Sequence, residues 1–174
     1  MRVVAGELGG RRLQAPRGAD VRPTADRVRE ALFSILGDVH GATVLDLYCG
    51  TGALAIEAVS RGASAATLVD TQPDAARRNV YALELGDRCD VVSADVVRFL
   101  RAGGTRFDLV FCDPPYRLAD RLGPDLDQLL PDRLAKGGRV IVECNARHPL
   151  ELSLDVQVER RYGDTLIRVH GSAG

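Results

Sequence analysis

The chain has no tryptophan, one methionine and a single lysine, Lys136, so arginine carries nearly all of its positive charge. No apolar run approaches the roughly 18 residues that span a bilayer, which excludes a membrane-spanning helix. The segment Met1–Glu7 lacks the apolar stretch of a signal peptide, so a cytoplasmic location is the expectation. Cysteine is sparse and badly spaced for metal. Cys49, Cys89, Cys112 and Cys144 form no C-x-x-C pair and no zinc spacing. They read as small buried hydrophobes with free thiols, and no metal site is expected. The sequence shows no internal repeat and no low-complexity segment.

What is present belongs to an ordinary globular chain. Of 174 residues, 45% are hydrophobic and 27% charged. That length supports a core without disulfides or structural metal. The formal net charge of −1 is unevenly placed. Residues 1–22 carry Arg2, Arg11, Arg12, Arg17 and Arg22 against Glu7 and Asp20. A basic arm on an acidic body implies a polyanionic partner for the arm, with a merely solvated hairpin as the alternative.

Residues 1–14 read as two short strands around Gly9-Gly10. A Pro- and Gly-containing loop follows, Ala15 to Pro23. Thr24 is the expected cap of an amphipathic helix with Val28, Ala31, Leu32, Ile35 and Leu36 on one face, ended by Gly37. From residue 43 apolar runs (Thr43–Leu47, Ala66–Val69, Val91–Ser93, Leu109–Cys112, Val140–Glu143) alternate with helical patterns (Ala53–Ser60, Pro73–Leu85, Val96–Arg101, Leu118–Leu134). That alternation predicts a parallel sheet of right-handed crossover units, covered on both faces. Val156–Tyr162 and Thr165–His170, joined by Gly163-Asp164, predict a closing antiparallel hairpin.

The first strand runs into Asp46-Leu47-Tyr48-Cys49-Gly50-Thr51-Gly52-Ala53. Glycines at a strand-to-helix turn let backbone approach a ligand, and Asp70 at the end of the second strand suits ribose hydroxyls. The pattern also fits nicotinamide dinucleotides. Asp46, however, would meet a pyrophosphate unfavourably and suits an ammonium or sulfonium. Asp46, Asp70, Asp95 and Asp113 all fall at strand ends, where open α/β sheets bind ligands, and together favour a cationic ligand such as S-adenosylmethionine. Asp95 could instead be only a helix cap.

The fourth strand ends in Asp113-Pro114-Pro115-Tyr116. Two prolines stiffen the chain and present the Asp113 carboxylate and Pro114 carbonyl as fixed acceptors. Two acceptors on the hydrogens of a planar exocyclic amine would turn its lone pair toward an electrophilic methyl group. Tyr116 offers a face for an extruded base. His40, His148 and His170 sit in no motif and read as structural or surface residues. Arg77-Arg78 reads as a solvated helix face, and Asn79 and Glu143 are candidates to line the pocket.

Asp-Leu-Tyr-Cys-Gly-Thr-Gly followed by Asp-Pro-Pro-Tyr resembles the S-adenosylmethionine-dependent amino-methyltransferases. Arg22-Pro23-Thr24-Ala25-Asp26-Arg27-Val28-Arg29-Glu30, with Gly52-Ala53-Leu54 and Ser60-Arg61-Gly62-Ala63, narrows the resemblance to the bacterial RsmD family. It implies a Rossmann-like class I methyltransferase fold: a seven-stranded, mostly parallel sheet with a C-terminal antiparallel hairpin and helices on both faces. Residues 1–22 would be a basic hairpin extension, and residues 23–174 the methyltransferase domain. The implied reaction is methyl transfer to the exocyclic N2 amine of one guanine in 16S rRNA, in an assembled or partly assembled 30S particle, by a monomer without a membrane partner. The implied cofactor residues are Asp46, Tyr48, Gly50 and Gly52 near the methionine portion, Asp70 on the ribose, and Asp95 with the Val96 backbone on the adenine, with Asp113 adjoining. The catalytic assignment is Asp113, Pro114, Pro115 and Tyr116, and the RNA assignment Arg2, Arg11, Arg12, Arg22 and Arg27. The loop often has glycine where this chain has Tyr48, although an aromatic is usual in this family. Rival readings are an amino-methyltransferase for another RNA or DNA base or a protein glutamine, a nicotinamide oxidoreductase, and a catalytically silent RNA-binding protein.

Overall fold

A computed structural model describes residues 1–15, 23–115 and 119–171. Arg22 and Tyr116 lie outside the described residues. The chain builds one seven-stranded sheet. In sequence order the elements are helix α1 (Pro23–Leu36), β1 (Thr43–Leu47), α2 (Ala53–Ser60), β2 (Ala65–Asp70), α3 (Asp74–Ala82), β3 (Cys89–Ser93), α4 (Val96–Arg101), β4 (Phe107–Cys112), α5 (Ala119–Leu129), a 3-10 turn at Pro131–Arg133, β5 (Leu134–Asn145), β6 (Val156–Tyr162) and β7 (Thr165–Gly171).

The strand order is β3-β2-β1-β4-β5-β7-β6, parallel through β5 and antiparallel at β7 and β6. The order reverses between β1 and β4. Crossovers leave in opposite directions there, and a crevice opens at the carboxyl ends of the strands. Strand residues alternate between two apolar layers. Val44, Leu68, Leu109 and Phe111 pack with α1, α2 and α3, around Leu32, Phe33 and Ile56. Leu45, Leu47, Val110 and Val142 pack with α4 and α5, around Leu126 and Leu130. Covering both faces explains why these strands read as continuous apolar runs.

Several boundaries depart from the sequence expectation; the helix expected to reach Leu85 ends at Ala82, just before Glu84 turns to positive φ. Thr24 lies inside α1, which starts at Pro23. Proline's fixed φ and missing N–H suit a first helical turn, so it takes the start in place of a hydroxyl cap. The helix expected to reach Leu134 ends at Leu129: Leu130 keeps helical backbone, but Pro131 has no N–H to donate back to Asp127 and opens a 3-10 turn. The last parallel strand begins at Leu134, well before Val140, and its register shifts opposite Phe107 and Leu109. Lys136-Gly137-Gly138 concealed that irregular start, since glycine and lysine are poor strand formers.

The expected N-terminal hairpin is reduced to a single bridge, Arg2 opposite Arg12, with turns between. Val3, Gly10 and Leu13 N–H donate within the arm, and other backbone donors turn to α2. Val4 N–H and Ala5 N–H donate to the two carboxylate oxygens of Glu57 at 2.7 and 3.0 Å. Leu8 N–H donates to Ser60 Oγ at 3.0 Å. Gly6, at φ 81°, presses on the Ser60 carbonyl where a Cβ would clash. Val3 and Leu13 are buried in the core beside α1.

Candidate active site

Two cavities meet at the switch point and share Tyr48 and Asp113. The first, about 380 Å³, is lined by Asp70, Thr71, Asp95, Val96, Pro114, Pro115 and Leu122 besides the shared pair. The second, about 590 Å³, is lined by Asp46, Gly50 and Thr51, by Val28 and Arg29 of α1, by Leu54 and Glu143, by Met1, and by the β6–β7 turn Tyr162–Thr165.

The first cavity is shaped by backbone donors. Gly50 N–H and Gln72 N–H each donate to Asp70, one to each carboxylate oxygen, at 2.9 Å. These bonds fix the carboxylate while leaving lone pairs for further donors. Asp95 accepts from Arg98 N–H at 2.9 Å, so it is the cap of α4 and also a cavity wall. The Val96 backbone stands at the start of that helix. Gly52 has φ 76°, and a Cβ there would come within 2.6 Å of Leu68. This glycine is therefore fixed by helix–strand packing. Tyr48 also has positive φ, 60°, and its hydroxyl is buried without a hydrogen-bond partner among the described residues. A strained aromatic and a buried, unmet hydroxyl thus stand at the junction of the two cavities.

The electrostatics are acidic. Asp46 is 2% exposed and accepts Ala55 N–H at 3.1 Å. Burial, with the charge of Asp70 added, pushes its carboxyl up to about 7. Among the described residues no guanidinium pairs with it. Asp113 opens to solvent through the crevice and has protein on its other sides. Burial, then the charges of Glu143 and Asp46, push it well above the usual carboxylate range. Glu143 is also pushed up by burial, and Arg29 opposes that shift. Such a site gains from a ligand bearing positive charge or several donors. It fits the charge of S-adenosylmethionine, and the acid-lined first cavity offers acceptors for its hydroxyls.

The sequence-selected residues divide accordingly. Asp70, Asp95, Val96, Pro114 and Pro115 gather around the first cavity, Asp46 and Gly50 around the second, and Tyr48 and Asp113 between them. Gly52 is the N-cap of α2 and is in neither lining. Asn79 lines neither cavity. It is buried, accepts from Gln14 N–H at 2.8 Å and donates to the carbonyls of Gln14 and Thr51, pinning the arm to the glycine loop. Arg2, Arg11, Arg12 and Arg27 are exposed outside the cavities. All four cysteines are free and buried, and burial raises each thiol, so none is poised as a nucleophile. His40 and His148 are exposed, and buried His170 pairs its Nδ1 with the Leu154 carbonyl at 2.9 Å. Arg77 and Arg78 are exposed on α3.

Sequence reasoning missed the α1 side of the second cavity. Arg29 is 4% exposed, is ion-paired with Asp26 at 2.9 Å, and donates to the Arg2 carbonyl. Its Nε lies 3.5 Å from Glu57, which is fully buried and also pairs with Arg61 at 2.7 Å. One signal was available: Glu57 is a lone carboxylate inside the apolar run Ala53–Ser60, and a buried charge requires partners.

The strand order, the crevice at its reversal and the closing hairpin define a Rossmann-like class I methyltransferase fold. The family model described as "Conserved hypothetical protein 95" matches residues 1–170. The chain belongs to that family, the RsmD family. It is 40% identical over 121 residues to ribosomal RNA small subunit methyltransferase D of Escherichia coli K12, an alignment covering 67% of this chain and 61% of that relative. Among solved structures it is 32% identical to a candidate methyltransferase of Escherichia coli, yhhF, with a TM-score of 0.87 over 100% of this chain and 98% of the other. A hypothetical protein of Thermus thermophilus, TTHA0928, is 31% identical with a TM-score of 0.80, covering 98% of each chain.

Proposed function

We propose that the chain transfers a methyl group from S-adenosylmethionine to the exocyclic N2 amine of a guanine in 16S rRNA. The observation that carries this reading is Asp113, set at the junction of two cavities and followed by the stiff Pro114-Pro115. One cavity offers acids and a helix start suited to a nucleoside. The other offers Asp46 and the Gly50 loop for the methionine portion and further polar groups suited to a base. S-adenosylmethionine supplies an electrophilic methyl group on a positively charged sulfur. Asp70 would hold its ribose, Asp95 and the Val96 backbone its adenine, and Asp46 and the Gly50 loop its methionine portion. Asp113 and the Pro114 carbonyl hold the two amine hydrogens, so the nitrogen lone pair faces the methyl carbon. When bound, S-adenosylmethionine would supply the methyl group for the new C–N bond and would leave with the electron pair of the S–C bond broken. The nitrogen then sheds a proton, and the Asp113 carboxylate, made basic by burial, is placed to accept it.

Residues 1–22 serve as an RNA-contacting extension and residues 23–174 as the catalytic domain. The Arg2–Arg12 bridge supports this. In the non-hydrogen-bonded antiparallel pair that Val3 N–H and Leu13 N–H bracket, facing side chains are closest. Like charges there are costly unless an anion lies between them. Arg11, Arg22 and Arg27 complete the RNA contacts, Tyr116 stacks on the extruded base, and the substrate is an assembled or partly assembled 30S particle. The enzyme acts as a monomer in the cytoplasm. No helix among the described residues is long and apolar enough to cross a membrane.

Calorimetric titration separates this reading from a nicotinamide oxidoreductase. The parent chain should bind S-adenosylmethionine and not NAD. Asp70→Ala should weaken that binding by about 1.5–3 kcal/mol, the scale of a lost charged hydrogen bond. Binding of NAD alone would reject the proposal.

A further inference from the structure

The second cavity presents an ordered row of three charged groups. Asp113 and Glu143 are neighbours in register, because β4 and β5 run parallel with Cys112 opposite Val142, one residue earlier on each strand. Strands so paired lie about 4.8 Å apart, so the two carboxylates enter the cavity side by side. Arg29 stands next in the row. It lines the same cavity and is 4% exposed; its Nη2 donates to Asp26 and to the Arg2 carbonyl and its Nε faces Glu57 at 3.5 Å, which leaves Nη1 without a partner among the described residues. Arg139 of β5 donates to the Leu36 carbonyl at the end of α1, so α1 lies along β5 and its Arg29 stands on the Glu143 side of the shared cavity, which gives the order Asp113, Glu143, Arg29. The row therefore reads acceptor, acceptor, donor.

We infer that Glu143 and Arg29 are the specificity-determining residues that read the Watson–Crick edge of guanine, Glu143 accepting from N1–H and Arg29 donating to O6, while Asp113 holds the N2 amine. Among the four RNA bases only guanine places two donors side by side on that edge. Adenine and cytosine each put an acceptor beside their amine, which would meet the Glu143 carboxylate lone pair to lone pair. Uracil has one donor between two acceptors and no amine. Guanine also relieves the strain of the empty row, since its donors separate two carboxylates that burial and mutual repulsion disfavour as ions. Polar groups left unpaired by the wrong base discriminate strongly against it. Val28 and Leu54 provide apolar walls in the same cavity.

The inference rests on the amine-methylation reading above, and one experiment tells the two apart. Single-turnover methyl transfer is measured, with saturating cofactor, on small-subunit particles carrying either guanine or 2-aminopurine at the methylated position. The analogue keeps the N2 amine but has an N1 lone pair where guanine has N1–H, and it has no O6. The parent enzyme should favour guanine by at least about tenfold, on the scale of a lost charged hydrogen bond. Glu143→Gln can donate an N–H to N1 of the analogue, so the guanine preference should shrink by on the order of tenfold or more. Cofactor binding by that variant, read by calorimetry, reports that it is folded. A parent enzyme indifferent to the two bases overturns the inference, and so does a folded Glu143→Gln with the parental preference, because a structural role would slow both substrates alike. Because the parent comparison requires no variant, it decides even if Glu143→Gln fails to fold. If the parent methylates neither base, the function reading falls and the inference falls with it.

Discussion

At the scale of single residues, the proposed reaction gives the chemistry to Asp113 and the charge to Asp46. Asp113→Ala removes one acceptor from the amine and should slow the methyl-transfer step by about 10²–10³-fold, as losing one well-placed group in a transition state does. Single-turnover kinetics at saturating cofactor isolates that step, and a parental rate in the variant would contradict the assignment. Tyr116→Phe should keep most activity and Tyr116→Ala should lose base capture, by about 1–3 kcal/mol. Asp46 makes a pH prediction. Its carboxyl lies near 7 in the folded chain against about 3.8 when unfolded, so the folded state holds the extra proton between those values. Its contribution to stability is therefore largest below about pH 4 and is lost as pH rises toward 7, with a limiting slope of about 1.4 kcal/mol per pH unit. A cationic ligand favours the ionised form, so binding at pH 6 should release a proton. Calorimetry in two buffers of different ionisation enthalpy reads that proton, and Asp46→Asn should abolish the release. Proton uptake by the parent would refute the placement of positive charge beside Asp46.

At the scale of elements, α2 joins the N-terminal arm to the site. Glu57 receives Val4 N–H, Ala5 N–H, Arg61 and, more distantly, Arg29. Removing one partner of a buried charge network leaves the others uncompensated and costs about 3–5 kcal/mol. Glu57→Ala should lower stability on that scale in denaturant unfolding, and a change under 1 kcal/mol would contradict the network. The elements themselves were largely legible. Ala53–Ser60 and Val96–Arg101 were read to the residue, because apolar strands and glycine or aspartate caps bracket them. The crevice acids were legible because a parallel sheet places strand ends together. The Arg29–Glu143 row was not, because it joins residues 114 positions apart through a register that sequence periodicity cannot supply. The arm was legible as basic and turning, but not as a strap on α2, since its partners are side-chain oxygens of a distant helix.

At the scale of the whole molecule, a basic arm runs past the mouth of a base-sized cavity on an otherwise acidic body. Met1 lines that cavity and Arg2 and Arg12 face outward together, so a backbone held on the arm would lie close to a base held inside. Replacing Arg2 and Arg12 by Ala should flatten the slope of log K against log salt for rRNA-particle binding by roughly 2, one for each phosphate no longer neutralised. Cofactor affinity should not change. A parental slope would return the arm to a solvated hairpin. The central claim, an rRNA guanine-N2 methyltransferase, is tested most directly by one assay. Small-subunit particles from cells lacking the enzyme are incubated with it and with methyl-labelled S-adenosylmethionine, and the labelled nucleoside is identified and mapped. The account predicts N2-methylguanosine at one position of 16S rRNA. Label on another base, on a ribosomal protein, or nowhere would contradict it.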